Sequence, residues 1–354
     1  MRCLKTRTPR RLGIAVLAGG MVLGAAGVAT ADRSLRSNFE PPIFAVATID
    51  GQLGWANDGA FDATVAPLAS FASASGFGFG LQALRISDAT TRGSFSNQTF
   101  SPGLASPAGE SAVNRHFEAS FSIGTTKATE QSGLHMSVSP DDGFGARMSY
   151  LRFEDQPDGV HVFFDDVTDP GPLGTVASFN ETDVATLTRA AAHRITFSLD
   201  FKQGLANDVV RIFIDGKLVR VRGTKVHRDC RGARHEHSLG RKCAHHSRRD
   251  DRRSTGTTWE DYYRFDPEQL GSGNTVPMTS KLLFRESGTA NIGNLGQGFL
   301  IDDVTLLSSN VPKDRRDCRQ DGWMTHTRAD GSPFVSRRAC IKYVKRHHDD
   351  HARH

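Results

Sequence analysis

The chain has 354 residues and carries 44 Lys and Arg against 39 Asp and Glu, a formal charge of +5. Five of those bases (Arg2, Lys5, Arg7, Arg10 and Arg11) fall in the first 31 residues, which hold no acid, so the rest is formally neutral. The positive balance is therefore no argument for nucleic-acid binding.

The basic start is followed by an apolar run from Leu12 to Val28 and then by Ala29-Thr30-Ala31. This is the pattern of a removable export signal over residues 1–31, and it predicts a secreted, extracellular protein. Arg10-Arg11 also permits a twin-arginine signal. The run holds five glycines and is barely long enough for a bilayer core, and no later segment can span a membrane. Beyond residue 31 the charge is divided: residues 222–253 carry a net +7 and residues 313–354 a net +5, leaving −12 on the remainder. The reading is an acidic body with two basic, His-rich appendages.

Taken in chain order, period-two alternation puts Phe117, Ala119, Phe121 and Ile123 on one face of a strand. Val160, Val162 and Phe164 form the next such face, and Asp183 to Ala192 reads as either a short helix or a strand entry. Ile195, Phe197, Leu199 and Phe201 follow, then Val210, Ile212 and Ile214, with Asp215-Gly216 as a hairpin turn. Many short strands without alternating helices predict an all-β fold, a sandwich or a barrel, and a jelly roll of this size is ordinary as a single domain. Twenty-two Phe against four Tyr suggest that most aromatic mass fills the core. Lys225 to Ser254, dense in Arg and His, reads as an inserted basic loop, and residues 313–354 as a small tail.

Four cysteines remain beyond the signal: Cys230, Cys243, Cys318 and Cys340. In an exported chain they read as disulfides, and of three pairings the two local ones are favoured by sequence clustering. Cys230, His235, His237, Cys243, His245 and His246 also offer a looser zinc set, against which an oxidising compartment argues. The basic loop is a candidate contact for anionic partners, such as an acidic cell-wall polymer. It lacks the aromatic platforms of a nucleic-acid surface, so no specific nucleic acid is expected. Trp55, Trp259, Tyr262 and Tyr263 are the candidates for stacking on sugar rings. Glu40 with Asp302 and Asp303 is a candidate structural calcium set, tying the first strand to the last through hard oxygen ligands.

The stretch from His193 to Val219, with its Ile214-Asp215-Gly216 turn, resembles the paired strands of concanavalin A-like lectin/glucanase (laminin-G-like) domains. Thr257 to Arg264 and the closing strand Gly298 to Leu306 agree with it. The resemblance covers residues 38–308 and implies an antiparallel two-sheet jelly-roll sandwich that binds glycans or proteins, or hydrolyses β-glucans. Hydrolases of that kind carry E-x-D-x-x-E, whose carboxylates flank the scissile bond. Here Glu181 and Asp183 are followed by Thr186, so one catalytic glutamate is missing. The tail from Cys318 to Val344, with Gly322, Trp323, Phe334 and Tyr343, resembles a two-cysteine element that ends some secreted bacterial proteins. The expected function is non-catalytic recognition of glycan or cell-surface material. The alternatives are an adhesion scaffold acting through its basic loop, and a glycoside hydrolase with an atypical site.

Overall fold

A computed structural model describes residues 33–59, 62–91, 98–104, 116–141, 149–169, 178–200, 208–219, 256–258, 279–286, 289–312, 315–319, 322–328 and 332–351. The expected export signal, the basic insertion with Cys230 and Cys243, and Trp259, Tyr262 and Tyr263 lie outside these residues. Among the described residues no helix is long and apolar enough to cross a membrane.

The strands, in chain order, are β1 (Arg33–Ser37), β2 (Ala56–Asp58), β3 (Ala63–Pro67), β4 (Gln82–Ile86) and β5 (Gln98–Phe100). There follow β6 (His116–Thr125), β7 (His135–Asp141), β8 (Tyr150–Gln156), β9 (Gly159–Asp169) and β10 (Ser178–Leu187). The last are β11 (His193–Asp200), β12 (Asp208–Ile214), β13 (Lys217–Val219), β14 (Gly256–Thr258), β15 (Lys281–Arg285) and β16 (Phe299–Ser309). They make two antiparallel sheets. The nine-stranded sheet runs β13-β12-β11-β6-β16-β4-β3, with β1 beside β16 and β14 beside β12. The seven-stranded sheet runs β10-β9-β8-β7-β15-β5-β2.

Alternation decides which residues the sheets trap. The predicted inward faces of β6, β9, β11 and β12 are buried as read, while Phe201 falls outside the described residues. Phe121, Phe153, Phe284 and Phe299 meet edge to face between the sheets, the geometry favoured by aromatic quadrupoles. Asp215 and Gly216, at φ 51° and 71°, close the β12–β13 hairpin with the backbone twist that matches paired strands. The undecided segment Asp183–Ala192 is strand as far as Leu187 and turn beyond it. A second, smaller cluster (Phe71, Phe77, Ala83 and Leu300) covers part of the outer face of the nine-stranded sheet.

The closing strand is interrupted by a bulge. Asp302 pairs with Ser122 and Thr305 with Ser120, so β16 spends an extra residue there, and Asp303 takes φ 50°. The bulge restores Val304 and Leu306 to the core. At the C-terminus Cys318 and Cys340 form a disulfide, and with Phe334 and Val344 they make a separate small core. Ser336 caps the helix Arg337–His351, its hydroxyl accepting from the Ala339 amide.

Candidate functional site

On β8 and β9 the inward positions are Leu151, Phe153, Val160, Val162 and Phe164, which turns Arg152, Glu154, His161, Phe163 and Asp165 to the outer face. Register then sets the neighbours. Phe163 stands opposite Arg152 on one side and Asp183 on the other, and Asp165 stands opposite Glu181. The Arg152 guanidinium lies 4.6 Å from the centre of the half-buried Phe163 ring. His161 stacks on the same ring at 6.0 Å. Arg152 also pairs with Glu154, Glu181 and Asp165. An aromatic ring is thus held inside a frame of charged groups at the β8–β9–β10 edge of the sheet.

The frame is electrostatically tuned. Burial pushes the Asp165 carboxyl up to about 6; the Arg152 charge pulls it back and the Glu181 charge adds to the rise. His161 places Nε2 2.9 Å from Asp158 Oδ1 and Nδ1 2.9 Å from Asp183 Oδ2. These two hydrogen bonds raise its pKa above the ordinary histidine value, favouring the doubly protonated ring.

Beside His161 a cleft of about 350 Å³ opens between the β8–β9 turn and the β10–β11 connection. Asp158, Gly159, Thr186, Thr188 and Arg189 line it, and its size falls at the lower end of the small-ligand range. Gly159 is required there: at φ 155° a Cβ would stand 2.6 Å from Thr186 Cγ2 and 2.7 Å from the Leu187 carbonyl. The cleft floor is fixed by Arg189, which pairs with the fully buried Asp155 carboxylate and donates to the Gln156 carbonyl. Asp158 belongs to both the cleft and the His161 pair, so cleft and aromatic frame form one continuous strip.

The sequence alone marks none of these strip residues as a sugar contact, although Glu181, Asp183 and Thr186 form the incomplete glucanase motif. The signal lay in the off-core positions of β9, where a His, a Phe and an Asp alternate with Val160, Val162 and Phe164. Of the aromatic candidates, Trp55 is a correction. It is 1% exposed and packs on Phe39 and Phe284, so its ring has no face free for a sugar.

The proposed calcium set is corrected too. Glu40 accepts from the Leu81 and Gln82 amides. Asp303 pairs with Arg36 at 2.7 Å, and Asp302 accepts from the Asp303 amide. These oxygens hold the Gly80–Gln82 backbone and β1 to the last strand, doing with hydrogen bonds what the ion was expected to do. Burial lifts the Asp302 carboxyl to about 7; amides of Asp303 and Gly80 oppose this, and the Asp303 and Glu40 charges reinforce it. Because the folded state keeps this proton longer than the unfolded chain, stability attributable to Asp302 falls as pH rises from about 4 to 7. Relative to Asp302→Asn, the wild type should lose about 4 kcal/mol across that window, read from urea midpoints at each pH.

No protein-family model matches the chain, and no curated protein matches it. Among solved structures, alginate lyase Aly36B is similar over 79% of this chain and 98% of its own, at 12% identity and a TM-score of 0.38. An endo-beta-1,4-glucuronan lyase from the fungus Trichoderma reesei is similar over 79% and 97%, at 13% identity and a TM-score of 0.36. Lectin II from Ulex europaeus is similar over 79% and 99%, at 11% identity and a TM-score of 0.35. These neighbours are concanavalin A/lectin-like β-sandwich folds. With TM-scores below 0.5, they assign this chain neither residues nor activity.

Proposed function

We propose that the chain binds carbohydrate along the strip formed by the cleft at Asp158 and the charged frame around Phe163. The observation that carries the reading is Phe163 itself, an aromatic ring turned away from the core and enclosed by hydrogen-bonding groups. A sugar ring offers an apolar C–H face to such a ring and hydroxyls to flanking carboxylates and guanidinium. The strip carries the acids Glu154, Asp158, Asp165, Glu181 and Asp183 against the bases Arg152, His161 and Arg189, the last already paired with the buried Asp155. That excess of negative charge favours neutral or amino-sugar glycans and opposes uronate polymers.

The test is a glycan array on the full chain with neutral, amino-sugar and uronate members, followed by titration of the best ligand. Phe163→Ala should weaken binding about tenfold or more, the equivalent of about 1.4 kcal/mol. Unchanged affinity in that variant, or a preference for uronates, would overturn the reading.

A second reading is favoured by one pair. Asp165, with its raised pKa, stands opposite Glu181, and both share Arg152. A carboxyl that keeps its proton to higher pH than usual, next to a second carboxyl, is suited to the general-acid role in glycoside hydrolysis. Release of reducing ends from the bound glycan, lost in Asp165→Asn, would establish it; binding without turnover would dispose of it.

A further inference from the structure

At one end of the sandwich the inward alternation of both sheets finishes on an acid. On β4 the buried positions Leu84 and Ile86 are followed, two residues on, by Asp88. On β15, in the opposite sheet, Leu282 and Phe284 are followed by Glu286. Both acids are 0% exposed. The chain that follows β15 returns to Asp88 through the Asn291 amide and the Asn294 side chain, and the Asp88 charge acts on Glu286.

Their hydrogen bonding is lopsided. Asp88 Oδ1 accepts from the Asn294 side chain at 2.8 Å, and the Asp88 carbonyl accepts from the Asn291 amide at 3.0 Å. The Asn291 side chain reaches across to the Ser132 carbonyl at 2.6 Å, so the surrounding loops hold Asp88 in place. Among the described residues, Asp88 Oδ2 and both carboxylate oxygens of Glu286 find no hydrogen-bond partner.

Three unpartnered carboxylate oxygens at the rim of an apolar core are not a stable arrangement for two ionised groups. Burial pushes the Glu286 carboxyl well above its ordinary range, and the Asp88 charge adds to this. A proton shared between the pair would satisfy only part of the deficit, since one O–H donates one hydrogen bond. A divalent cation satisfies all three oxygens at once and cancels both charges.

We propose that Asp88 and Glu286 bind a calcium ion between the two sheets. Hard carboxylate oxygens and an adaptable coordination number suit calcium better than magnesium, which demands a near-ideal octahedron. Among the described residues no third His, Cys, Asp or Glu joins the pair. Backbone carbonyls and water therefore complete the shell, as they commonly do for calcium. The site is separate from the carbohydrate strip and does not depend on it. It is also distinct from Glu40, Asp302 and Asp303, of which the first two accept from amides and the third pairs with Arg36.

The test uses the full chain without sugar, dialysed against EGTA or against about 1 mM calcium, a concentration suited to extracellular sites. Bound calcium is measured by atomic emission, and thermal melting is followed in parallel. One calcium per chain is expected, with Tm raised by about 5 °C or more. Glu286→Gln, an isosteric and neutral change, should abolish both effects. It should also melt in EGTA no lower than the wild type, because it removes a buried carboxyl whose ionisation nothing offsets. Asp88→Asn serves as a second variant, its remaining oxygen able to keep the Asn294 contact. Wild-type chain that binds no calcium and melts identically in EGTA overturns the proposal. So does a calcium shift that survives in both variants, or melting that responds to pH but not to calcium.

Discussion

Arg189→Met should destabilise the folded chain by about 3–5 kcal/mol, the cost of leaving a buried charge without its partner. The Arg189 side chain is 10% exposed and the Asp155 side chain it pairs with is fully buried. Arg189 Nε donates to Asp155 Oδ1 at 2.7 Å, and the guanidinium also serves the Gln156 and Gly159 carbonyls. Asp155 Oδ2 accepts from the Gln131 amide at 2.9 Å. Removing the guanidinium leaves a carboxylate with neutral donors only and strips two carbonyls of theirs. Urea denaturation at neutral pH measures the loss. Adding Asp155→Asn to Arg189→Met should recover much of it, since the stranded charge is then gone. The single variant should also weaken sugar binding, because Arg189 forms the cleft floor. An unchanged midpoint would mean that the pair contributes nothing net.

Gly298→Ala should be at least as damaging, for a different reason. Gly298 opens the last strand at φ 128°, where an L side chain is strained. An added Cβ would stand 2.0 Å from the Ile86 carbonyl oxygen, a backbone atom that cannot rotate aside. The Gly298 amide donates to Thr126 Oγ1 and Gln131 Oε1, so displacement would also break a buried network. The expected cost is about 4 kcal/mol or more, enough to leave little folded chain in a domain of ordinary stability. Gly296 is the internal control: it has φ 73° but nothing within 4 Å of its Cβ position. Gly296→Ala should cost only about 1 kcal/mol, the conformational penalty alone. Equal losses in the two variants, measured by thermal or urea unfolding, would show that the Ile86 clash is relieved. Gly298 and Arg189 both act through Gln131, so their effects should not add.

The sandwich core was legible because burial of one sheet face writes a period of two into the chain. Phe117 to Ile123, Val160 to Phe164 and Val210 to Ile214 all show it, and Asp215-Gly216 marks its own turn. The pattern weakened where the sheet ends. Strand β10 lies on the edge of the seven-stranded sheet and is bulged between Asp183 and Ala185, so its alternation slips in mid-strand.

The strip was harder to see for a reason of chemistry. Phenylalanine reads as core by type, and only its position opposite Val162 and Phe164 marks Phe163 as outward. Its neighbours Arg152 and Asp183 come from other strands through pairing that no local pattern records. Trp55 misleads in the opposite direction, since a tryptophan suggests a sugar platform but here fills the core. Asp88 and Glu286 stand just beyond the last apolar position of their strands, where sequence alone reads a loop. Only the meeting of two distant strand ends shows that the pair is shut inside.

Hydrogen exchange with and without the best glycan from the array shows whether carbohydrate occupies the strip at the β8–β10 edge. Bound sugar should slow exchange in the β8–β9 turn at Asp158 and Gly159 and in the connection from Thr188 to Ala192. The Phe163→Ala chain at the same sugar concentration should show little of this protection. Saturating glycan that protects other loops of the sandwich, and leaves both of these segments unchanged, would place the sugar elsewhere and rule the strip out.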